Sequence, residues 1–139
     1  MNLKYFLAGF IYLSQHHSFP YEYFYRHKDS LMHFLEAADN LSDKKVSNCI
    51  SMLEILGRER LIHCEKIIDR LLQCLSINLG ATDTSQLARI FFYYSRLKCT
   101  IDYVFVGKLM ERLYLFMHRL DNRHYALIIK AVAHLNYQD

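Results

Sequence analysis

One proline and four glycines in 139 residues leave the chain few places to turn sharply. A β-sandwich or barrel needs turn residues every ~8–12 positions, and this chain does not carry them. Long helices joined by short polar links fit the composition. A long apolar run is also missing. Tyr5 to Leu13 spans nine residues, against the ~20 that a membrane-crossing helix requires. The first 21 residues hold no acid, one Lys and no Arg, and no small-residue cleavage site. They match an organellar transit peptide only weakly, and without a cleavage site a secretory signal is not expected.

Chemistry-bearing patterns are equally sparse. The four cysteines, Cys49, Cys64, Cys74 and Cys99, include no C-x-x-C pair, and three fall where a helix would place apolar residues. Buried, reduced thiols are the expectation. The eight histidines do not supply the two close ligand pairs that a zinc site uses. No Gly-rich phosphate loop, G-x-S-x-G elbow or paired-carboxylate motif is present. Cys64 follows His63, but adjacent positions on a helix point in different directions, so they do not form a nucleophile–base pair. The sequence therefore suggests no catalytic residues, no metal and no cofactor.

What the sequence does have is repetition. Leu13, Leu56, Leu97 and Leu135 stand 43, 41 and 38 positions apart. Three positions before each come Phe10, Leu53, Tyr94 and Val132; six before, Leu7, Ile50, Phe91 and Ile129. Seven before come Phe6, Cys49, Ile90 and Ile128; ten before, Leu3, Val46, Leu87 and Tyr125. Every entry is apolar or aromatic, and the steps of 3, 3, 1 and 3 trace one face of an α-helix. Ser42 and Asp43, Asp83 to Ser85, and Asp121 with Asn122 supply helix-start oxygens. These helices, near 3–14, 43–57, 84–98 and 122–136, are the B helices.

Between them lie amphipathic A helices over 23–39, 62–78 and 102–120. Ile68, Leu71, Leu72 and Leu75 match Val106, Leu109, Met110 and Leu113 at an offset of 38. Pro20 separates the first B helix from the first A helix, and Gly80 suits a C-terminal cap. The expected fold is all-α: one domain over 1–139, an α-solenoid of about three and a half helix-pair repeats, seven helices in total. The alternative is a closed helical bundle.

The capped L-A-x-I start, the aromatic "FFYY", the "SRLKCTID" turn and its echo in "LDNRHYALIIKAVAHLNYQD" resemble octotricopeptide and heptatricopeptide repeats. Similar repeats accompany FAST-kinase-like regions and RAP domains, although no RAP domain is recognisable here. Leu87, Ile90, Tyr94, Leu97 and Lys98 fit the first helix of such a repeat; Asp102, Val106, Leu109 and Leu113 fit the second loosely. The resemblance covers about Leu41 to Asp139. It implies RNA binding in mitochondria or plastids, with ribosomal RNA in an organellar ribosome or related ribonucleoprotein as the expected partner.

The candidate RNA contacts are Lys66 and Arg70 on one A helix and Lys108 and Arg112 on the next. On or beside the B helices they are Lys44, Lys45, Arg58, Arg60, Arg89, Arg96, Lys98, Arg123 and Lys130. Cations grip phosphates, and exposed aromatics such as Tyr21, Tyr23, Tyr25 and Tyr93 stack on bases. Packing against helices or a protein partner is nevertheless the expected use of those tyrosines, with base stacking the alternative. Glu65, Asp69 and Glu111 dilute the A-helix cations. If they neutralise that face, a protein-only scaffold or accessory subunit of a large complex becomes the better reading. Leu7, Phe10 and Ile11 at one end and Ile128, Ile129 and Val132 at the other are candidate docking residues for neighbouring proteins. A third reading sets Tyr5 to Leu13 at the lipid edge of a membrane complex.

Overall fold

The computed structural model describes Gly9, Tyr12 and residues 21–36, 43–59, 64–97 and 101–136. The described residues form six α-helices: α1 (Tyr21–Glu36), α2 (Asp43–Glu59), α3 (Glu65–Ile77), α4 (Thr84–Arg96), α5 (Tyr103–Leu115) and α6 (Asn122–Asn136). Single 3₁₀ turns follow α3 (Leu79–Ala81) and α5 (Met117–Arg119). No strand occurs among the described residues. The expected B helix over 3–14 lies outside them apart from Gly9 and Tyr12.

Helix starts are set by local chemistry. The Asp83 carboxylate accepts from the Gln86 backbone N–H at 2.8 Å, and the Gln86 side chain accepts from the Asp83 N–H at 3.1 Å. This reciprocal box satisfies two donors at the α4 N-terminus. Asp121 and His124 repeat the arrangement at α6, with contacts of 3.0 and 3.2 Å. Asp102 accepts from the N–H groups of Val104 and Phe105, both at 3.1 Å. The end of α3 differs from expectation. Asn78, not Gly80, stands at its C-cap, and the Asn78 amide donates to the Cys74 carbonyl at 2.8 Å. Gly80 lies inside the following 3₁₀ turn.

Each helix packs on the next but one. α2 lies against α4 and α4 against α6; α1 lies against α3 and α3 against α5. Consecutive contacts α2–α3 and α4–α5 join the two series. The repeat columns explain this. Val46, Cys49, Ile50, Leu53 and Leu56 of α2 are all buried, as are Leu87, Ile90, Phe91 and Tyr94 of α4 with Leu97 just after it. Each large aliphatic or aromatic side chain fully removed from water contributes about 1.5–3 kcal/mol. At Gly57 the α2 backbone comes so close to α4 that an added Cβ would stand 3.2 Å from the Tyr93 carbonyl oxygen.

The buried hydroxyls are satisfied locally, whereas the buried Arg112 Nε has no hydrogen-bond partner among the described residues. The Thr82 hydroxyl donates to the Leu79 carbonyl and the Ser95 hydroxyl to that of Phe92, both at 2.6 Å. The Tyr94 hydroxyl reaches out of α4 to accept from the Asp102 N–H at 2.6 Å, while its ring meets Phe105 edge-on at 5.2 Å. One aromatic side chain thereby fixes where α5 starts relative to α4. Cys49, Cys64 and Cys74 are buried. Burial, with Cys74 nearby, pushes the Cys49 thiol up to about 12.

Candidate functional site

Two surfaces gather the polar and charged side chains that the sequence singles out. The first is the outer face of α4. Positions 89, 92, 93 and 96 recur at helical spacing opposite the buried column. The Arg89 guanidinium lies over the Tyr93 ring at 5.7 Å, and that of Arg96 lies over Phe92 at 5.7 Å. Neither arginine forms an ion pair among the described residues. Phe92 and Tyr93 are half-buried and Arg96 is exposed. A guanidinium seated on a ring keeps its N–H edge available to an anion, because the contact uses its face. Arg89, Arg96 and Tyr93 were legible as candidates; Phe92 as the seat for Arg96 was not.

The second surface is a groove of about 490 Å³ between α3 and α5. Leu72, Ile77, Val104 and Phe105 form its apolar part, and Asp69, Ser76, Asp102 and Lys108 are among its polar side chains. The A-helix cations do not form an open stripe here. Lys108 donates to the Ser76 hydroxyl at 3.0 Å. Arg112 lies over the Phe116 ring at 4.8 Å and reaches the Gly80 carbonyl at 3.4 Å. Arg70 donates to the Gln73 side chain at 3.1 Å, and Lys66 is exposed beside Glu65. Lys108 and Arg112 thus tie α5 to α3, and two aspartates face the groove with Lys108. Such a groove suits a neutral or cationic group better than a phosphate.

The remaining candidates are dispersed. Lys44 and Lys45 fall in the first turn of α2. Arg58 is half-buried and paired with Glu59 at 3.2 Å, and Glu59 also accepts from the Tyr21 hydroxyl of α1 at 3.2 Å. Arg123 and Lys130 are exposed on α6, with Arg123 at 3.9 Å from Asp121. Arg60 and Lys98 lie outside the described residues, as do Leu7, Phe10 and Ile11. Ile129 and Val132 are exposed, whereas Ile128 is half-buried against the core. The sequence reading missed the exposed apolar side chains of α5, among them Tyr103, Met110 and Tyr114. The signal was available: α5 is apolar on nearly all sides, a pattern that calls for cover on more than one face.

Among the described residues, no three His, Cys, Asp or Glu side chains come together as a metal site, and no helix is long and apolar enough to cross a membrane. The chain matches no protein-family model, no curated protein and no solved structure.

Proposed function

We propose that the chain is an RNA-binding α-solenoid of the octotricopeptide and heptatricopeptide kind, serving as a structural component of a mitochondrial ribosome or a related ribonucleoprotein. Packing of each helix on the next but one supports the stacked-repeat reading, since closed bundles pair sequential neighbours. The organelle and the ribosomal partner rest on the sequence resemblance. The observation that carries RNA contact is the α4 face, where Arg89 and Arg96 sit on Tyr93 and Phe92 without a carboxylate partner. Phosphates meet the guanidinium edges, which the rings hold in place.

Fluorescence anisotropy with a labelled single-stranded RNA at several salt concentrations tests this. Replacing both Arg89 and Arg96 by Ala should weaken binding at every sequence. Loss of two phosphate contacts should lower the salt slope by about 1.4. Wild-type protein with no RNA affinity at low salt would refute the proposal.

A protein-only scaffold is the second reading, favoured by the groove between α3 and α5. There Lys108 and Arg112 serve α3, and Asp69 and Asp102 face any ligand. A native particle whose sedimentation is indifferent to ribonuclease would favour it.

A further inference from the structure

The repeat columns have a second use, because they identify which faces a neighbour normally covers. Phe91 of α4 is 1% exposed, and its counterpart Ile129 of α6 is 67% exposed. Tyr94 is 2% exposed and its counterpart Val132 40%; Leu87 is fully buried and its counterpart Tyr125 is 40% exposed. The A series repeats the contrast. Leu72 of α3 is buried and lines the groove with Phe105 of α5. Its counterpart Met110 is 46% exposed.

On α4, the flank that meets α6 carries small residues. Ser95 contacts His134 of α6 at 3.2 Å, and Ala88, seven positions earlier on the same flank, is fully buried. At the same offset of 38, α6 carries Ala126 and Ala133, both exposed. The outer face of α6 therefore repeats the α4 surface that receives a helix: small residues for close approach, with a large apolar side chain between them, Phe91 on α4 and Ile129 on α6.

Charge says what kind of helix. Residues 103–136 hold five Lys and Arg against two Asp and Glu. The rest of the chain holds 12 of each, so the whole net charge of +3 belongs to the last two helices. α6 itself carries Arg123 and Lys130 and no acid. A second copy docked face to face would bring these cations together, which opposes self-association.

We infer that the face centred on Ile129, with Tyr125, Val132, Ala126 and Ala133, is a docking site for an amphipathic α-helix that lies outside residues 1–139. That helix presents an aliphatic stripe broken by small residues and carries Asp or Glu along its flanks, where they meet Arg123 and Lys130. Met110 of α5 is the corresponding open position in the other layer, so a helical hairpin covers both. The inference rests on the repeat correspondence and does not depend on RNA contact.

Two synthetic amphipathic peptides of about 20 residues test it. They share a Leu/Ala stripe at i, i+3, i+4 and i+7; one is flanked by Glu and the other by Lys. Titration into the labelled 139-residue chain should show binding of the Glu-flanked peptide alone. Ile129→Asp should weaken that binding by about tenfold or more; circular dichroism should show the variant folded, because Ile129 is exposed. The same variant should bind RNA as the wild type does, whereas Arg89→Ala with Arg96→Ala should lose RNA and keep the peptide. Failure of both peptides overturns the docking site, and equal binding of both overturns its acidic character. Concentration-dependent dimerisation abolished by Ile129→Asp, or capture of the chain on anionic lipid vesicles that Ile129→Asp abolishes, would assign the face to a different occupant and also overturn the inference.

Discussion

α4 and α6 begin with the same kind of capping box and carry apolar residues in the same five columns, yet one helix is enclosed and the other is half bare. α4 lies between α2 and α6, so both of its flanks are covered. α6 packs on α4 with Ala131 fully buried, and His134 meets Ser95 and the Phe92 ring across the pair. Its opposite flank faces outward with Ile129 and Val132. A repeat pattern thus records where a helix surface meets another helix. It does not record whether that other helix belongs to the same chain.

The sharpest way to break this comparison is to truncate one column in both helices. Phe91→Ala should lower unfolding free energy by about 3–5 kcal/mol, and Ile129→Ala by about 0.5 kcal/mol or less. Urea denaturation of the two variants decides it; similar losses would mean that the α6 face is covered after all.

Thiol labelling compares the same faces chemically. Cys49 is buried in α2 and its thiol is raised to about 12 by that burial. Ionisation in the fold is therefore suppressed roughly a thousandfold relative to an ordinary thiol. Native iodoacetamide labelling followed by peptide mapping should leave Cys49 unmodified while an introduced Ile129→Cys reacts. The unfolded thiol ionises before the folded one, so the stability that Cys49 contributes is complete below its ordinary pKa. It is lost as pH rises from about 9 towards 12.

Two glycines sharpen the contrast between enclosed and open surfaces. Gly57→Val forces a side chain against the Tyr93 carbonyl at the α2–α4 contact and should cost about 1–3 kcal/mol. Gly107 has nothing within 4 Å of an added Cβ, so Gly107→Ala in α5 should raise stability by about 0.5–1 kcal/mol. Thermal melts of the pair should move in opposite directions.

The smallest effect concerns the α6 cap. Hydrogen bonding from the His124 backbone N–H holds the Asp121 carboxyl below its usual range. Its stabilising contribution is therefore complete above the ordinary carboxylate pKa and is lost as pH falls through the lowered folded value. The gap in helicity between wild type and Asp121→Ala should accordingly shrink in acid.

Much of this architecture was legible from local pattern. The periodicity placed the helices, and Asp83 and Asp121 marked two starts because a capping oxygen acts on its own first turn. Helix ends were less legible. The expected helix over 102–120 stops at Leu115, where Phe116 lies under Arg112 and Arg119 at 4.8 and 5.4 Å and the chain tightens into a 3₁₀ turn. Arg112 also reaches back to the turn after α3, a relation that no local window contains. The Lys108–Ser76 contact escaped for the same reason. Met110 looked like core because its column partner Leu72 is core; only the packing shows that one is covered and the other is not.

The Tyr94 hydroxyl bears on the timing of motion as well as on position. The amide of a helix's N-cap residue usually exchanges early, having no carbonyl partner within the helix. Here the Asp102 amide is held at 2.6 Å by a side chain rooted in the buried column of α4. It can be released only when α4 and α5 part company. Asp102 should therefore keep its proton as long as the hairpin stays closed, and in Tyr94→Phe that clock should run fast while the rest of α5 keeps its pace.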